Sequence, residues 1–407
     1  MITLELSTQE YLMRQAVILA GGFGTRLSHI VSDVPKPLAP IGREQKPFLE
    51  FVIKTLKKQG FDNFVFLTGY KAEQIEKQFK RLKNTTFIKE ETALGTGGAI
   101  LNAFDKLQDE FFVINGDTFF DIDYNILERF GKDKPITLAL RYTNNIERYG
   151  FVEIDDKYVI KSFVEKGSLP ENRIDGYING GIYYIHKSAL KPYAKKFNGE
   201  FISLETEIFP KLLANDELNG LPLGGCFIDI GIPEDYYRAQ DLVPNWIAKE
   251  MKPALFVDKD GTLIENTEYP HGKDFKIIED TVDIVKQYAA LDYHIVMITN
   301  QAGIGKGKFT KEEMQEGFDG IREYYKKVDV DFHDIEYCPY HKDSIIKEYA
   351  YDTLLRKPNP GMILKACEKL KIDLKRSIMV GDNPDIDKIR LPYLNCKIIK
   401  EGEHQWI

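Results

Sequence analysis

Cysteine is scarce and unpatterned in this chain. Four residues in 407, Cys226, Cys338, Cys367 and Cys396, are scattered and form no paired framework. A disulfide scaffold is excluded, and a reducing cytoplasm fits best. Long apolar runs are missing too: none reaches the about 20 residues that a membrane helix needs. The stretch Met1 to Gln15 is polar and lacks the apolar centre of a signal peptide. The expectation is a soluble, cytoplasmic protein with no membrane partner. An excess of basic charge is also absent. The formal net charge of -8 argues against a nucleic-acid-binding surface as a global property, while leaving room for local basic sites that hold anionic metabolites. Internal repeats and low-complexity segments are lacking as well.

What remains is ordinary globular composition, 43% hydrophobic and 29% charged, over a length that suits two or three domains with their own cores. Short β-rich runs alternate with amphipathic stretches. Ala16 to Leu19, Phe64 to Leu67, Phe111 to Ile114, Ala254 to Val257, His294 to Ile298 and Ser377 to Val380 read as buried strands. Phe48 to Gln59 and Lys71 to Lys83 space their apolar residues as helices do. This βαβ alternation predicts an α/β protein with mainly parallel sheets, and ligands bound beyond the carboxyl ends of the strands. The boundary is expected near Asp235 to Lys252, giving domains 1–235 and 253–407 joined by a helix over 236–252. Val243-Pro244 is expected to interrupt that helix. So short a linker predicts halves that pack together.

Two phosphate-chemistry signatures stand at strand ends. The first is Gly21-Gly22-Phe23-Gly24-Thr25-Arg26-Leu27, followed by Pro35-Lys36-Pro37. Glycines after a buried strand let backbone N–H groups approach phosphate oxygens, and Arg26 and Lys36 offset their charge. A Walker loop would need Gly-Lys-Ser/Thr, and the dinucleotide fingerprint does not fit either. The second is Asp258-Lys259-Asp260-Gly261-Thr262, two carboxylates at one strand end. One can attack phosphorus and the other can handle protons. Thr299-Asn300 ends the next strong strand, Lys357 sits in Arg356-Lys357-Pro358, and Gly381-Asp382 ends a later strand with Asp385 and Asp387 nearby.

The segment from about Gln15 to Asp235 resembles the sugar-1-phosphate nucleotidyltransferases. Further motifs carry the resemblance in the family's order: Leu94-Gly95-Thr96-Gly97-Gly98-Ala99, Asn115-Gly116-Asp117, Tyr149-Gly150, Val164-Glu165-Lys166, Asn179-Gly180-Gly181 and Phe227-Ile228-Asp229. It implies a Rossmann-like fold with a mixed, mainly parallel sheet. Gly21, Gly22, Gly24, Thr25, Arg26, Lys36, Gly95, Thr96 and Asp117 would hold the nucleotide. Asp117 and Asp229 would hold Mg²⁺, and Gly150, Glu165, Lys166 and Asn179 the sugar phosphate. Ser203-Leu204-Glu205 resembles a family segment without a firm role.

From about Pro253 to Ile399 the chain resembles the haloacid-dehalogenase-like phosphatases, which implies a three-layer Rossmannoid sandwich. The stretch from Asp260 to Thr299 is too short for a large cap domain. By resemblance Asp258 is the nucleophile and Asp260 the proton donor and acceptor, while Thr299 and Lys357 hold the phosphoryl group. Asp258, Asp382 and the Asp260 carbonyl would bind Mg²⁺, supported by Asp387 or Asp385, with Asn300 and Arg356 in the substrate site. The Thr299-to-Gly305 and Arg356-Lys357-Pro358 segments look like the heptose-bisphosphate and histidinol-phosphate branch. That branch often carries a zinc loop, whose aligned positions here are Cys338, Tyr340, Thr353 and Leu355. No structural zinc is therefore expected, and apolar packing should hold the loop.

Together the resemblances imply a two-step enzyme for a sugar bisphosphate. The second domain would remove the 7-phosphate of D-glycero-D-manno-heptose 1,7-bisphosphate, and the first would join the remaining 1-phosphate to GMP from GTP. The same reactions on another sugar phosphate with UTP, dTTP or CTP stay open. So do a non-catalytic regulatory protein on the same scaffold and a homo-oligomeric state.

Overall fold

Ala16, Val17 and Ile18 have no solvent exposure, and their side chains alternate between two cores. Such a run must lie inside a sheet covered on both faces. In the computed structural model it is the strand Arg14–Ala20, parallel to Phe61–Thr68 on one side and to Glu110–Asn115 on the other. The structure describes residues 14–399 apart from 23, 25, 28, 147–150, 165–172, 267–271 and 273. Thr25, Gly150, Glu165 and Lys166 thus lie outside the described residues.

The first sheet is mixed. Thr85–Lys89 adds a parallel strand at one end. Beyond Glu110–Asn115 the sheet turns antiparallel through Gly176–His186, which also pairs with Ile136–Thr143. Phe48–Lys58 and Ala72–Phe79 are the expected helices, the second ending four residues before Lys83. A separate ribbon pairs Thr118–Phe120 with Phe227–Asp229, antiparallel.

The helix Pro233–Ala248 runs through Pro244 where an interruption was expected. Pro244 cannot donate to the Gln240 carbonyl, a local cost. Val243 and Trp246 on either side are fully buried, and their burial outweighs it.

The second sheet is all parallel, in the order Asp334–Cys338, His294–Asn300, Ala254–Val257, Ile378–Gly381, Asn395–Ile398. The order reverses at Ala254–Val257, so a crevice opens at its carboxyl end, where Asp258 follows. Between Asp260 and His294 the described residues form one helix, Glu279–Ala290, and two short bridges.

The halves share one apolar core that includes Leu138 and Leu140 from one and Met362 and Cys367 from the other. Polar contacts stitch its rim. Arg141 Nε donates to Glu368 at 3.0 Å, Lys371 Nζ lies 3.3 Å from Asp121, and the Tyr393 hydroxyl donates to the Pro222 carbonyl at 2.6 Å. Among the described residues no helix is long and apolar enough to cross a membrane.

Candidate active sites

The first site lies along the carboxyl ends of the first sheet's parallel strands. A cavity of about 340 Å³ is lined by Gly21, Gly22, Gly24, Lys36, Gly95, Thr96 and Asp117, all expected there from sequence. Gly24 has φ +62, a left-handed turn that suits glycine. Lys36 Nζ lies 2.6 Å from Asp117 Oδ2.

Asp229 arrives from more than a hundred residues away. Pairing of Phe227–Asp229 with Thr118–Phe120 sets Asp229 opposite Thr118, and Ile230 N–H donates to the Asp117 carbonyl at 3.1 Å. Two carboxylates therefore meet. Burial, and then the Asp117 charge, push Asp229 up to about 6, against the pull of Lys36, the Gly231 N–H and Arg26. A pair of crowded carboxylates suits a hard divalent cation such as Mg²⁺.

Some expected contacts are already committed within the protein. The Thr96 hydroxyl donates to Glu205 at 2.8 Å, and Glu205 also accepts from Ser203 Oγ at 3.0 Å. Asn179 donates to the Tyr183 hydroxyl at 3.0 Å and accepts the Gly181 N–H at 2.9 Å. Glu205 and Asn179 are thus linked through Tyr183, whose hydroxyl lies 3.5 Å from Glu205.

Sequence reasoning missed Glu90 and Phe201, whose side chains also line this cavity. A Cβ on Gly21 or on Gly69 would come within 2.3 and 2.6 Å of Glu90 Oε1, so this carboxyl lies against bare backbone at two strand ends. Its other oxygen accepts the Leu94 N–H at 3.0 Å. The Phe201 ring, largely exposed, covers Gly95. A glutamate five residues before Gly95 at a strand end was the available signal for Glu90.

The second site forms at the switch point of the parallel sheet. Lys357, buried, places Nζ 2.5 Å from Asp258 Oδ1 and 2.7 Å from Asp387 Oδ1. Burial disfavours the ammonium charge, but Asp258 and Asp387 outweigh it and hold Lys357 above its ordinary range. Burial pushes Asp258 up to about 7 against the pull of Lys357. Carboxylate oxygens of Asp258, Asp382 and Asp387 lie within 4.8 Å of one another, a group able to hold a metal ion. Of the two supporting candidates, Asp387 is the one in this group; the Asp385 N–H is engaged by Asn383. Gly261 has φ +82, and a Cβ there would meet Asp382 at 2.3 Å.

Asp260 stands outside that group. Lys259 Nζ approaches its carboxylate at 2.6 Å, and Gln301 Nε2 donates to it at 3.0 Å. Gln301 also donates to Thr299 Oγ1 at 2.8 Å, so an unanticipated glutamine joins two expected residues. Asn300 exchanges hydrogen bonds with the Lys357 backbone, accepting at 3.0 Å and donating at 3.2 Å. Arg356 Nη1 is buried without a hydrogen-bond partner among the described residues, a cation with spare donors.

At the aligned zinc-loop positions, burial pushes the Cys338 thiol up to about 12, and it donates to the Tyr340 carbonyl. Rings of Tyr340, Tyr349 and Tyr351 pack there. Apolar packing is only part of what holds the loop. Thr353 is anchored by a polar contact to Asp175, donating at 2.5 Å, because a loop this buried must satisfy its backbone and hydroxyl groups.

A Rossmann-like sheet with paired aspartates beside a glycine-lined cavity defines a nucleotidyltransferase scaffold. The chain belongs to the nucleotidyl transferase family, which residues 15–245 match. Residues 254–391 match the polynucleotide kinase 3 phosphatase family, and the chain thus joins a nucleotidyltransferase domain to a HAD-like phosphatase domain. It is similar to the D-glycero-alpha-D-manno-heptose 1-phosphate guanylyltransferase of Campylobacter jejuni, 42% identical over 55% of this chain and 97% of that protein. The enzyme of the same description from Aneurinibacillus thermoaerophilus is 42% identical, over 57% of this chain and 100% of its own length. The crystal structure of HddC from Yersinia pseudotuberculosis complexed with GMP-PN is 35% identical over 56% of this chain and 99% of that one, with a TM-score of 0.49.

Proposed function

We propose that the chain activates a heptose in two steps, dephosphorylating D-glycero-D-manno-heptose 1,7-bisphosphate at position 7 and then forming GDP-heptose from GTP. The observation that carries the second step is the row of strand ends from Asp117 to Glu90. The Glu90 carboxyl reaches back over the ends of the two middle strands, at Gly21 and Gly69, into the same cavity that Lys36 and Asp117 line, so one nucleotide can touch both ends of the row. With the phosphates at Lys36 and Asp117, the base falls at Glu90. Guanine offers two adjacent donors on one edge, and a carboxylate accepts both. Uracil and thymine offer a single N–H between two carbonyls, which a carboxylate faces poorly. Phe201 is placed to cover the base.

In the transfer, an oxygen of the sugar 1-phosphate attacks the α-phosphorus and the bond to pyrophosphate breaks. Gly21, Gly22 and Gly24 cradle the phosphates, and Arg26 and Lys36 stabilise the departing charge. Asp117 and Asp229 would hold Mg²⁺, which supplies further neutralisation of the triphosphate. Gly150, Glu165, Lys166 and Asn179 are assigned to the sugar phosphate from the sequence motifs. Both relatives act on heptose 1-phosphate by their descriptions, which supports the same sugar here.

In the phosphatase step, the Asp258 oxygen not paired with Lys357 attacks phosphorus. The ester bond breaks, and Asp260 gives the leaving alkoxide its proton. Asp260 then takes a proton from the water that hydrolyses the aspartyl phosphate. Thr299, Lys357 and Arg356 hold the phosphoryl oxygens and Asn300 braces the loop, while Asp258, Asp382 and the Asp260 carbonyl would hold Mg²⁺. The domain division at 1–235, 236–252 and 253–407 belongs to this reading.

The test is to supply the bisphosphate, GTP and Mg²⁺ and to follow products by mass. Heptose 1-phosphate followed by GDP-heptose is expected. Efficient use of another sugar phosphate, with no GDP-heptose, would sink the assignment.

A further inference from the structure

Lys357 belongs to a loop that the other half of the molecule holds. Asp175, with no solvent exposure, stands immediately before Gly176–His186 in the first half. Its carboxylate accepts from Thr353 Oγ1 at 2.5 Å, from Leu354 N–H at 3.0 Å and from the Tyr142 hydroxyl at 3.1 Å. Thr353 Oγ1 in turn accepts the Leu355 N–H at 3.1 Å. Arg173 pairs with Asp352 as an isolated parallel bridge, extending the contact by backbone.

From this anchor the chain runs directly to the chemistry. Asn359 donates to the Thr353 carbonyl at 3.3 Å, and Gly361 N–H to the Leu354 carbonyl at 2.8 Å, closing the loop on itself. A Cβ on Gly361 would lie 2.4 Å from the Leu354 oxygen, so the turn has no slack. Inside the turn, Lys357 reaches Asp258 and Asp387. Within the second half the loop is held by the Asn300 exchange and by the Arg390 N–H, which donates to the Pro358 carbonyl at 2.9 Å; from the first half it is held by Asp175.

We infer that Asp175 is a positioning residue for the phosphatase site, a buried carboxylate contributed by the nucleotidyltransferase half that sets the loop carrying Lys357. The second domain is then incomplete without the first, and their fusion is a requirement of the phosphatase geometry. A tether alone would not need a buried carboxylate with three donors from two domains. The inference rests on the phosphatase reading, but not on which sugar is the substrate.

The test uses the full chain with p-nitrophenyl phosphate for one site and GTP with heptose 1-phosphate for the other. Thr353→Val removes the hydroxyl with little change of shape. It should lower kcat for phosphate release by about tenfold or more, since small misplacements of a catalytic group are costly. Guanylyl transfer should stay within about twofold of wild type on the same grounds. Thr353→Ser, which keeps the hydroxyl, should restore phosphate release. Asp175→Asn combined with Thr353→Val should lose no more than the worse single variant, because both act through one contact. Unchanged phosphate release in Thr353→Val, or equal loss of both activities, would overturn the positioning role. A wild-type chain inert towards every phosphomonoester would remove the phosphatase reading itself, and the inference with it.

Discussion

Asp117 and Asp229 are brought together by a ribbon of three residues on each side, in which Asp229 pairs with Thr118. Lys36 joins them, its Nζ 2.6 Å from Asp117. Burial first, and then the neighbouring Asp117 charge, raise Asp229 to about 6. Asp229→Asn should keep the fold, because the Gly231 N–H can still be accepted, yet guanylyl transfer should fall on the order of a hundredfold through lost cation binding. Phosphate release should be unaffected. Steady-state assays of both reactions on one preparation check this.

Asp258→Asn should abolish phosphate release, by roughly a millionfold as for loss of the nucleophile in another covalent enzyme. Guanylylation of supplied heptose 1-phosphate should continue. Loss of both would show either one shared site or strong coupling between the domains.

Glu90→Gln keeps the size of the side chain and the acceptor for the Leu94 N–H. It replaces one carboxylate oxygen by a donor, which opposes the guanine edge and suits a pyrimidine carbonyl. kcat/KM for GTP should drop by about ten- to a hundredfold, the usual worth of a bidentate base contact. The ratio of UTP to GTP turnover should rise. An unchanged ratio would remove Glu90 from base selection.

His294 gives a pH dependence remote from both sites. Burial, then His333 and Lys252, lower its pKa to about 4. The ring packs edge-on to His333 at 4.7 Å between centroids, and His333 Nδ1 accepts the Ile295 N–H. A folded-state pKa below the unfolded value near 6.5 means that protons favour the unfolded chain. The stabilising contribution is present above about 6.5 and is lost as pH falls towards 4. Urea midpoints at pH 7 and pH 5 should differ less in His294→Gln than in wild type.

Much of this is legible in the amino-acid sequence. Strand-end motifs such as Asn115-Gly116-Asp117 and Asp258-Lys259-Asp260 carry their chemistry locally, because a buried apolar run followed by Gly or Asp dictates both the strand and its exposed end. The helix through Pro244 was misjudged because burial of Val243 and Trp246 lies outside what a local signal can report. Glu90 was passed over because its neighbours, Gly21 and Gly69, belong to other strands.

The amino-acid order by itself determined two α/β halves, the identity of the charged groups at their strand ends and the absence of any disulfide framework. Only the tertiary structure decided which of those groups meet. Asp229 reaches Asp117 through a ribbon, Asp387 rather than Asp385 joins Asp258, and Thr353 finds Asp175 across the domain boundary. Local sequence sets backbone conformation, whereas contacts between distant residues follow from how two cores exclude water together and then satisfy the polar groups they trap.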